Sequence, residues 1–369
     1  MRFVYFTHSL VSCWNHGNAH FLRGLVRELQ RAGEEVRVLE PADGWSRANL
    51  IADGGSAALD SFARAFPDHP VATYDGLPDL DEALDGADVV IVHEWTAPEI
   101  VAAVGRYRAS GGRFTLLFHD THHRAVSDPA AMQALDLSGY DGVLAFGETL
   151  AEVYRRWGWG ERVFVWHEAA DVALFHPPHD PEPERQGLVW IGNWGDGERT
   201  AELESYLLRP AATVGLPLDV HGVRYPPEAV ATLQRYGARY HGWLPNAEVP
   251  ETFARHMATV HVPRRFYART LPGVPTIRVF EALACGIPLV SAPWDDSEGL
   301  FREGDFLRAR TPQEMEAHLR ALSSDADLRQ ALSQNGRDTV TSRHTCAHRV
   351  EELMAILAFI ERRQQRGAA

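Results

Sequence analysis

The sequence predicts an α/β protein built from two doubly wound halves joined by a hinge. Three observations predict it. Strand-like and helix-like signals alternate along nearly the whole chain, the pattern of parallel sheets covered by helices. At 369 residues the chain exceeds the ~250 to 300 at which a single hydrophobic core stops growing. Finally, residues 176–187 hold four prolines among charged side chains and little that is apolar, so they suit a linker and not a core. The expected division is therefore residues 1–175, a hinge at 176–187, a second domain at 188–343 and a terminal helix at 344–369.

Arg2 to Thr7 reads as the first strand, followed by a polar loop and an amphipathic helix from Ala19 to Ala32 that stops at Gly33. Val36 to Glu40 is the next strand. Asp88 to His93 carries a Val-Val-Ile-Val run, continuous because a parallel strand is buried on both faces. Thr115 to Phe118, Gly142 to Phe146 and Arg162 to Trp166 repeat the pattern. In the second half, strands are expected at Leu188 to Gly192 and Leu218 to Val223, with a helix from Pro226 to Ala238. Residues His344 to Glu361 form a helix whose Val350, Leu353, Met354, Ile356, Leu357 and Ile360 make a wide apolar stripe.

Composition sets limits on partners. With 45% hydrophobic and 23% charged residues the chain is globular. No run approaches the ~20 apolar residues of a membrane span, and the first residues do not read as a signal peptide. Cys13, Cys285 and Cys346 are odd in number and scattered, which fits a reducing, cytoplasmic setting. A net charge of −14 argues against nucleic acid as the main partner. All 36 basic residues are Arg, so every cationic side-chain contact to a phosphate must come from a planar guanidinium fork.

Residues 260 to 294 carry the most chemistry. A short strand leads through a basic, Pro-bounded loop with Arg264, Arg265 and Tyr267 into a helix entered at Thr276-Ile277. That helix bears Arg278 and Glu281 and stops at Gly286, and a second strand follows. A helix N-terminus presents unpaired N–H groups that suit a diphosphate, and a carboxylate one turn further in can take two ribose hydroxyls. An ordinary strand-helix-strand unit would share the pattern. After the strand at 188, Gly192, Asn193, Gly195 and Gly197 lead to Arg199, a loop whose amides can approach an anion. The loop reaching Gly17 and Asn18 makes the same kind of helix entry in the first half.

Strand ends carry the remaining candidates. His119, with Asp120 to orient it, follows the strand at 115; Asp120 as a helix cap among surface histidines is the alternative. His119, His122 and His123 as zinc ligands would need to converge in space. Asp295-Asp296 could hold a divalent ion or cap the turn from Ser297 to Arg302.

These segments together resemble the GT-B glycosyltransferases, and within them glycosyltransferase family 4. Gly17 to Val38, Phe118-His119-Asp120, Ala145 to Pro177, Ile191-Gly192-Asn193 through Arg199, and Phe280-Glu281 through Val290 are similar to that family's successive motifs. More narrowly, Gly222-Val-Arg-Tyr-Pro, His241-Gly-Trp-Leu-Pro-Asn, His261-Val-Pro-Arg-Arg and His344-Thr-Cys-Ala-His-Arg resemble the CgeB-like, spore-maturation type glycosyltransferases. The resemblance implies two Rossmann-like domains facing a central cleft, with the C-terminal helix crossing back to the N-terminal domain. It implies a nucleotide-diphosphate sugar donor held by the second domain and a carbohydrate or small-molecule acceptor held by the first. Glu281 would take the ribose hydroxyls; the Thr276 and Ile277 amides, Arg278 and Arg199 would meet the diphosphate. Gly192, Asn193 and Arg264 would line the donor loop, His119 would stand beside the reacting sugar, and Gly17 and Asn18 would face acceptor or phosphate. Transfer would be retaining and metal-independent, with no cofactor beyond the donor. One departure stands out: the first Glu of the family's Glu-x7-Glu motif, which contacts the donor sugar, is replaced by Gly273. Three other readings share parts of this pattern: a GT-B sugar-nucleotide epimerase, a zinc enzyme and an inactive nucleotide-sugar-binding module.

Overall fold

The structure, a computed structural model, describes residues 1–178, 185–195 and 197–368. Residues 179–184 of the expected hinge and Asp196 of the glycine loop lie outside the described residues. The chain divides into two compact units, Met1–Glu168 with Cys346–Ala369, and Ala169–Thr345.

The first unit is built on a seven-stranded sheet, all parallel: β1 (Arg2–Phe6), β2 (Glu35–Pro41), β3 (Val71–Tyr74), β4 (Val89–His93), β5 (Thr115–Asp120), β6 (Gly142–Ala145) and β7 (Val163–Val165). The spatial order is β3-β2-β1-β4-β5-β6-β7. All five residues of β4 are buried, as the unbroken apolar run requires. The helix Asn18–Arg31 packs a fully buried face of Phe21, Leu22, Leu25, Val26 and Leu29 against this sheet side. The terminal helix Cys346–Ala368 docks on it: the Cys346 thiol lies 3.8 Å from the Phe21 carbonyl, and the Trp166 indole N–H donates to the Arg349 carbonyl at 2.9 Å.

The second unit holds a six-stranded parallel sheet of β8 (Leu188–Ile191), β9 (Leu218–His221), β10 (Arg239–Tyr240), β11 (Ala258–His261), β12 (Leu289–Ser291) and β13 (Leu307–Arg308), in the order β10-β9-β8-β11-β12-β13. Residues 169–175 pack here: the Ala170 amide donates to the His344 carbonyl, and Phe175 is buried among Phe253, Phe280 and Ile287.

Three elements have weak sequence signals. The helix Trp45–Ala65 buries only Ser46 and Leu50 and is kinked at Gly55, so it shows no apolar stripe. Strand β3 is a partly exposed edge, and β13 is two residues long. Strand β5 runs two residues past its expected end, because His119 and Asp120 still pair with Leu144 and Ala145 of β6. Among the described residues no helix is long and apolar enough to cross a membrane.

Candidate functional site

In open parallel sheets, ligands bind beyond the carboxyl ends of the strands where the strand order reverses. In the second unit that point lies between β8 and β11. The glycine loop leaves β8 there and the arginine loop leaves β11, and side chains tie them together. Arg199 is 8% exposed and donates to the Val262 carbonyl at 3.2 Å, to the Asn193 carbonyl at 2.9 Å and to Asn193 Oδ1 at 2.6 Å. Its guanidinium lies 5.1 Å from the Trp190 ring centre. Arg264 reaches the same Asn193 Oδ1 at 3.2 Å and pairs with Glu198 at 2.6 Å. Asn193 thus offers one carbonyl oxygen to two cations, a task no basic side chain could perform. Burial, and then the Arg264 charge, pull the Arg199 guanidinium down to about 10, so it stays cationic at neutral pH. Arg265 turns away to Glu202 and the Gly197 carbonyl.

Close approach or positive φ requires glycine at several points of this loop pair, Gly192 and Gly273 among them. Gly192 approaches the Trp190 ring so closely that an added Cβ would fall 2.8 Å from it. Gly273 has φ +88°, and a Cβ there would lie 2.6 Å from Ser297 Oγ and 3.0 Å from Glu298 Oε1. Residue 273 therefore cannot carry a glutamate without displacing the 297–299 turn, and the Glu298 carboxylate already reaches that place.

Thr276 caps the helix Ile277–Ala284 in extended geometry and makes no side-chain hydrogen bond to it. The Ile277 and Arg278 amides therefore have no intrahelical acceptor and no side-chain cap, while the Val279 amide donates to the Thr276 carbonyl at 3.0 Å. Glu281 is fully buried and accepts from Arg278 at 2.5 Å, with the Asn246 amide at 3.5 Å. The expected Arg278 contact to a ligand thus starts from a guanidinium already anchored one turn along the same helix face. Asp296 caps its turn, accepting from the Leu300 and Phe301 amides at 3.0 and 2.9 Å.

His261, at the end of β11, is a participant with little sequence signal beyond its strand-end position. Ser291 Oγ donates to the Ala292 carbonyl and so accepts the His261 Nδ1 proton at 2.9 Å. This leaves Nε2 as a bare acceptor, buried and without a protein partner. Burial and the Arg199 charge lower its pKa to about 3.

The first unit has its switch point between β1 and β4. His93 and His119 are register partners on neighbouring strands, their rings 5.6 Å apart. His119 is 4% exposed, lies 4.9 Å from the Trp166 ring, and its Nε2 has no protein partner. The expected orientation of His119 by Asp120 does not occur. Adjacent residues of a strand point to opposite faces, and Asp120 accepts from the Tyr154 hydroxyl at 2.7 Å and the His122 amide at 3.0 Å. Glu94, one residue beyond β4, is the buried neighbour of Asp120, and Arg124 stands 3.7 Å from it. Burial first, and for Glu94 also the Asp120 charge, raise both carboxyls above their ordinary range. Gly17 caps the helix Asn18–Arg31, and Asn18 is buried with its Oδ1 unpartnered. Among the described residues no three His, Cys, Asp or Glu side chains are placed to hold a metal, His119, His122 and His123 included.

These histidines predict a pH dependence. Burial lowers His8 and His221 from 6.5 to about 4, and His119 and His261 to about 3. The unfolded chain therefore binds protons that the folded chain refuses once pH falls below 6.5. Their contribution is complete above 6.5 and is lost as pH falls toward 4 and then 3. The raised Glu94 and Asp120 act in the opposite sense but are fewer. The thermal midpoint is expected to be several degrees lower at pH 5 than at pH 7.5, before ordinary carboxylates titrate; differential scanning calorimetry at both values checks it.

Comparison with known proteins agrees with this fold. Residues 17–174 match the family model described as Glycosyltransferase Family 4, and residues 199–355 match one described as Glycosyl transferase-like. No curated protein sequence matches the chain significantly. Among solved structures, HepE of Anabaena in complex with UDP and glucose superposes with a TM-score of 0.68 at 14% identity, covering 97% of this chain and 99% of that one. An alpha-glucosyltransferase in complex with UDP and a 13-mer DNA gives 0.71 at 12% identity, with 97% and 99% covered. Sucrose-phosphate synthase of Thermosynechococcus elongatus gives 0.65 at 14% identity, with all of both chains covered. The chain has the GT-B, family-4-like fold of glycosyltransferases, two parallel-sheet Rossmann-like domains.

Proposed function

We propose that this chain is a glycosyltransferase that moves a sugar from a nucleotide-diphosphate sugar to a carbohydrate or small-molecule acceptor. The observation that carries the reading is the pair of arginines, Arg199 and Arg264, held on Asn193 at the β8/β11 switch point. The uncapped amides of the helix Ile277–Ala284 and the buried Glu281 stand on the same strand-end side of the sheet. Arg199, Arg264, Arg278 and the Ile277 amide are assigned to the diphosphate, and Glu281 to the ribose hydroxyls. As the glycosidic bond breaks, negative charge grows on the leaving phosphate, and preorganised cations and amides stabilise it. Glu298, which reaches the place of the missing motif glutamate, is assigned to the donor sugar. Retention, metal independence and the narrower likeness to CgeB-like enzymes rest on the sequence resemblance.

The neighbours in complex with UDP make UDP and UDP-glucose the first probes. A thermal-shift panel of UDP-, GDP-, ADP- and dTDP-sugars tests the donor: a ligand at 100 times its Kd stabilises by about 2.7 kcal/mol. No shift with any of them would remove the reading. Product analysis with and without acceptors separates transfer from epimerisation of the donor. His119 is assigned to the transfer step itself. His119→Ala is expected to lower turnover by about 100- to 1,000-fold, the typical effect of losing one transition-state donor. UDP affinity, measured by calorimetry, should stay within about threefold of the parent, less than 1 kcal/mol.

A further inference from the structure

Glu198, on the glycine loop, holds the place at Arg264 that a bound phosphate would need. Its carboxylate meets the Arg264 guanidinium at 2.6 Å, with 27% of the Glu198 side chain and 16% of the Arg264 side chain exposed. The pair joins residues 66 positions apart. The Glu198 backbone is fixed separately: its amide donates to the Gly195 carbonyl at 2.8 Å, and its carbonyl accepts from the Arg265 amide at 3.2 Å. The carboxylate can therefore leave Arg264 while the loop keeps its place.

Two guanidiniums on one Asn193 oxygen repel each other. After burial, the Arg264 charge is what lowers the Arg199 guanidinium, and the Glu198 charge acts in the opposite sense. A carboxylate beside the two arginines offsets their repulsion, and the phosphates of a diphosphate would offset it in the same way. The two anions are alternatives at Arg264, because a guanidinium fork takes carboxylate and phosphate oxygens with similar geometry. A pair that keeps this much exposure is screened by water and is weak enough for a multiply charged ligand to displace. Glu202, four residues on, provides the contrast: it pairs at 2.9 Å with Arg265, the arginine that turns away from Asn193.

We propose that Glu198 determines how tightly a diphosphate is held: its carboxylate stands in for phosphate on Arg264 and competes with the ligand for that guanidinium. The proposal rests on the glycosyl-transfer reading, in which Arg264 meets the donor diphosphate. Once the sugar has been transferred, a nucleoside diphosphate is left on the arginines. A carboxylate that returns to Arg264 reduces what is given up when this product leaves, and so favours its release. Glu198 acts against the bound diphosphate through Arg264 and is not itself a contact to it.

The test is calorimetric titration of the full chain and of Glu198→Gln with UDP, GDP, ADP and dTDP, with inorganic pyrophosphate, and with the four corresponding nucleosides, alongside melting curves. Glutamine keeps the size and one acceptor oxygen for Arg264 but not the charge. The diphosphate that binds the parent best, and pyrophosphate, should bind Glu198→Gln about three- to tenfold more tightly. The melting midpoint of the variant without ligand should fall, because the arginines lose a counterion. Glu202→Gln removes the same charge from a neighbouring arginine and should alter diphosphate affinity by less than about twofold. A residue that merely held Arg264 in place would lose stability and affinity together. Diphosphate affinity unchanged or weaker in Glu198→Gln, an equal gain in Glu202→Gln, or an equal gain for the uncharged nucleoside would overturn the proposal and leave the donor reading standing. A parent chain that binds none of the diphosphates would remove both.

Discussion

Replacing Glu281 by alanine is expected to remove most nucleotide-sugar affinity, with a Kd increase of at least about tenfold, or 1.4 kcal/mol. Glu281 is fully buried and paired with Arg278, so the change both opens a cavity and releases a guanidinium. Breaking a buried pair costs up to about 3–5 kcal/mol when the remaining charge is enclosed. The Arg278 side chain keeps 23% exposure, so a loss nearer the lower end is expected in the thermal midpoint. Glu281→Gln separates the two effects. It keeps the volume and one acceptor oxygen but turns the other into a donor amide, so part of the stability should return, while ribose hydroxyls that donate to a carboxylate should still bind less well. Calorimetric titration of UDP together with a melting curve on both variants reads the outcome. Affinity within about threefold of the parent in Glu281→Ala would remove Glu281 from the donor site.

Arg199→Ala should have the larger effect on turnover. Arg199 holds the glycine loop to the Val262 carbonyl and shares Asn193 with Arg264, so its loss removes one tie between the two loops that leave β8 and β11 and leaves those made by Arg264 and Arg265. A buried guanidinium already desolvated in the free protein stabilises growing phosphate charge without reorganisation, and removing such a donor costs roughly 3–4 kcal/mol of barrier. A fall of about 100- to 1,000-fold in kcat/KM follows. Arg199→Lys should recover little of it, because an ammonium cannot span two acceptors on Asn193 and a third on Val262 in one plane. Full activity in Arg199→Lys would show that charge alone matters and that the fork geometry does not.

Sheet strands buried on both faces were legible because their sequence is a continuous apolar run: β1, β4 and β6 stand within one or two residues of their expected ends. Edge strand β3 and the helix Trp45–Ala65 were not, because half-exposed elements have no such pattern to display. The residues assigned to the donor drew notice in the sequence for another reason. A helix entry at Thr276-Ile277 and a glycine loop ending in Arg199 are local devices, each written within ten residues of chain. The His119–Asp120 partnership failed on a local rule: the strand runs on through both residues, and its alternation parts their side chains.

Contacts between distant segments are where tertiary structure decides. The chain by itself determined two α/β units, an arginine-only supply of cations and the helix that carries Arg278 and Glu281. Only the fold brought Asn193, Arg199 and Arg264 together, set Glu298 against Gly273, placed Glu94 beside Asp120 and paired Glu198 with Arg264. The reason is physical. Helices and buried strands are specified by periodicity over neighbouring residues, whereas a site at a switch point is assembled by sheet order, which brings loops many residues apart to the same edge.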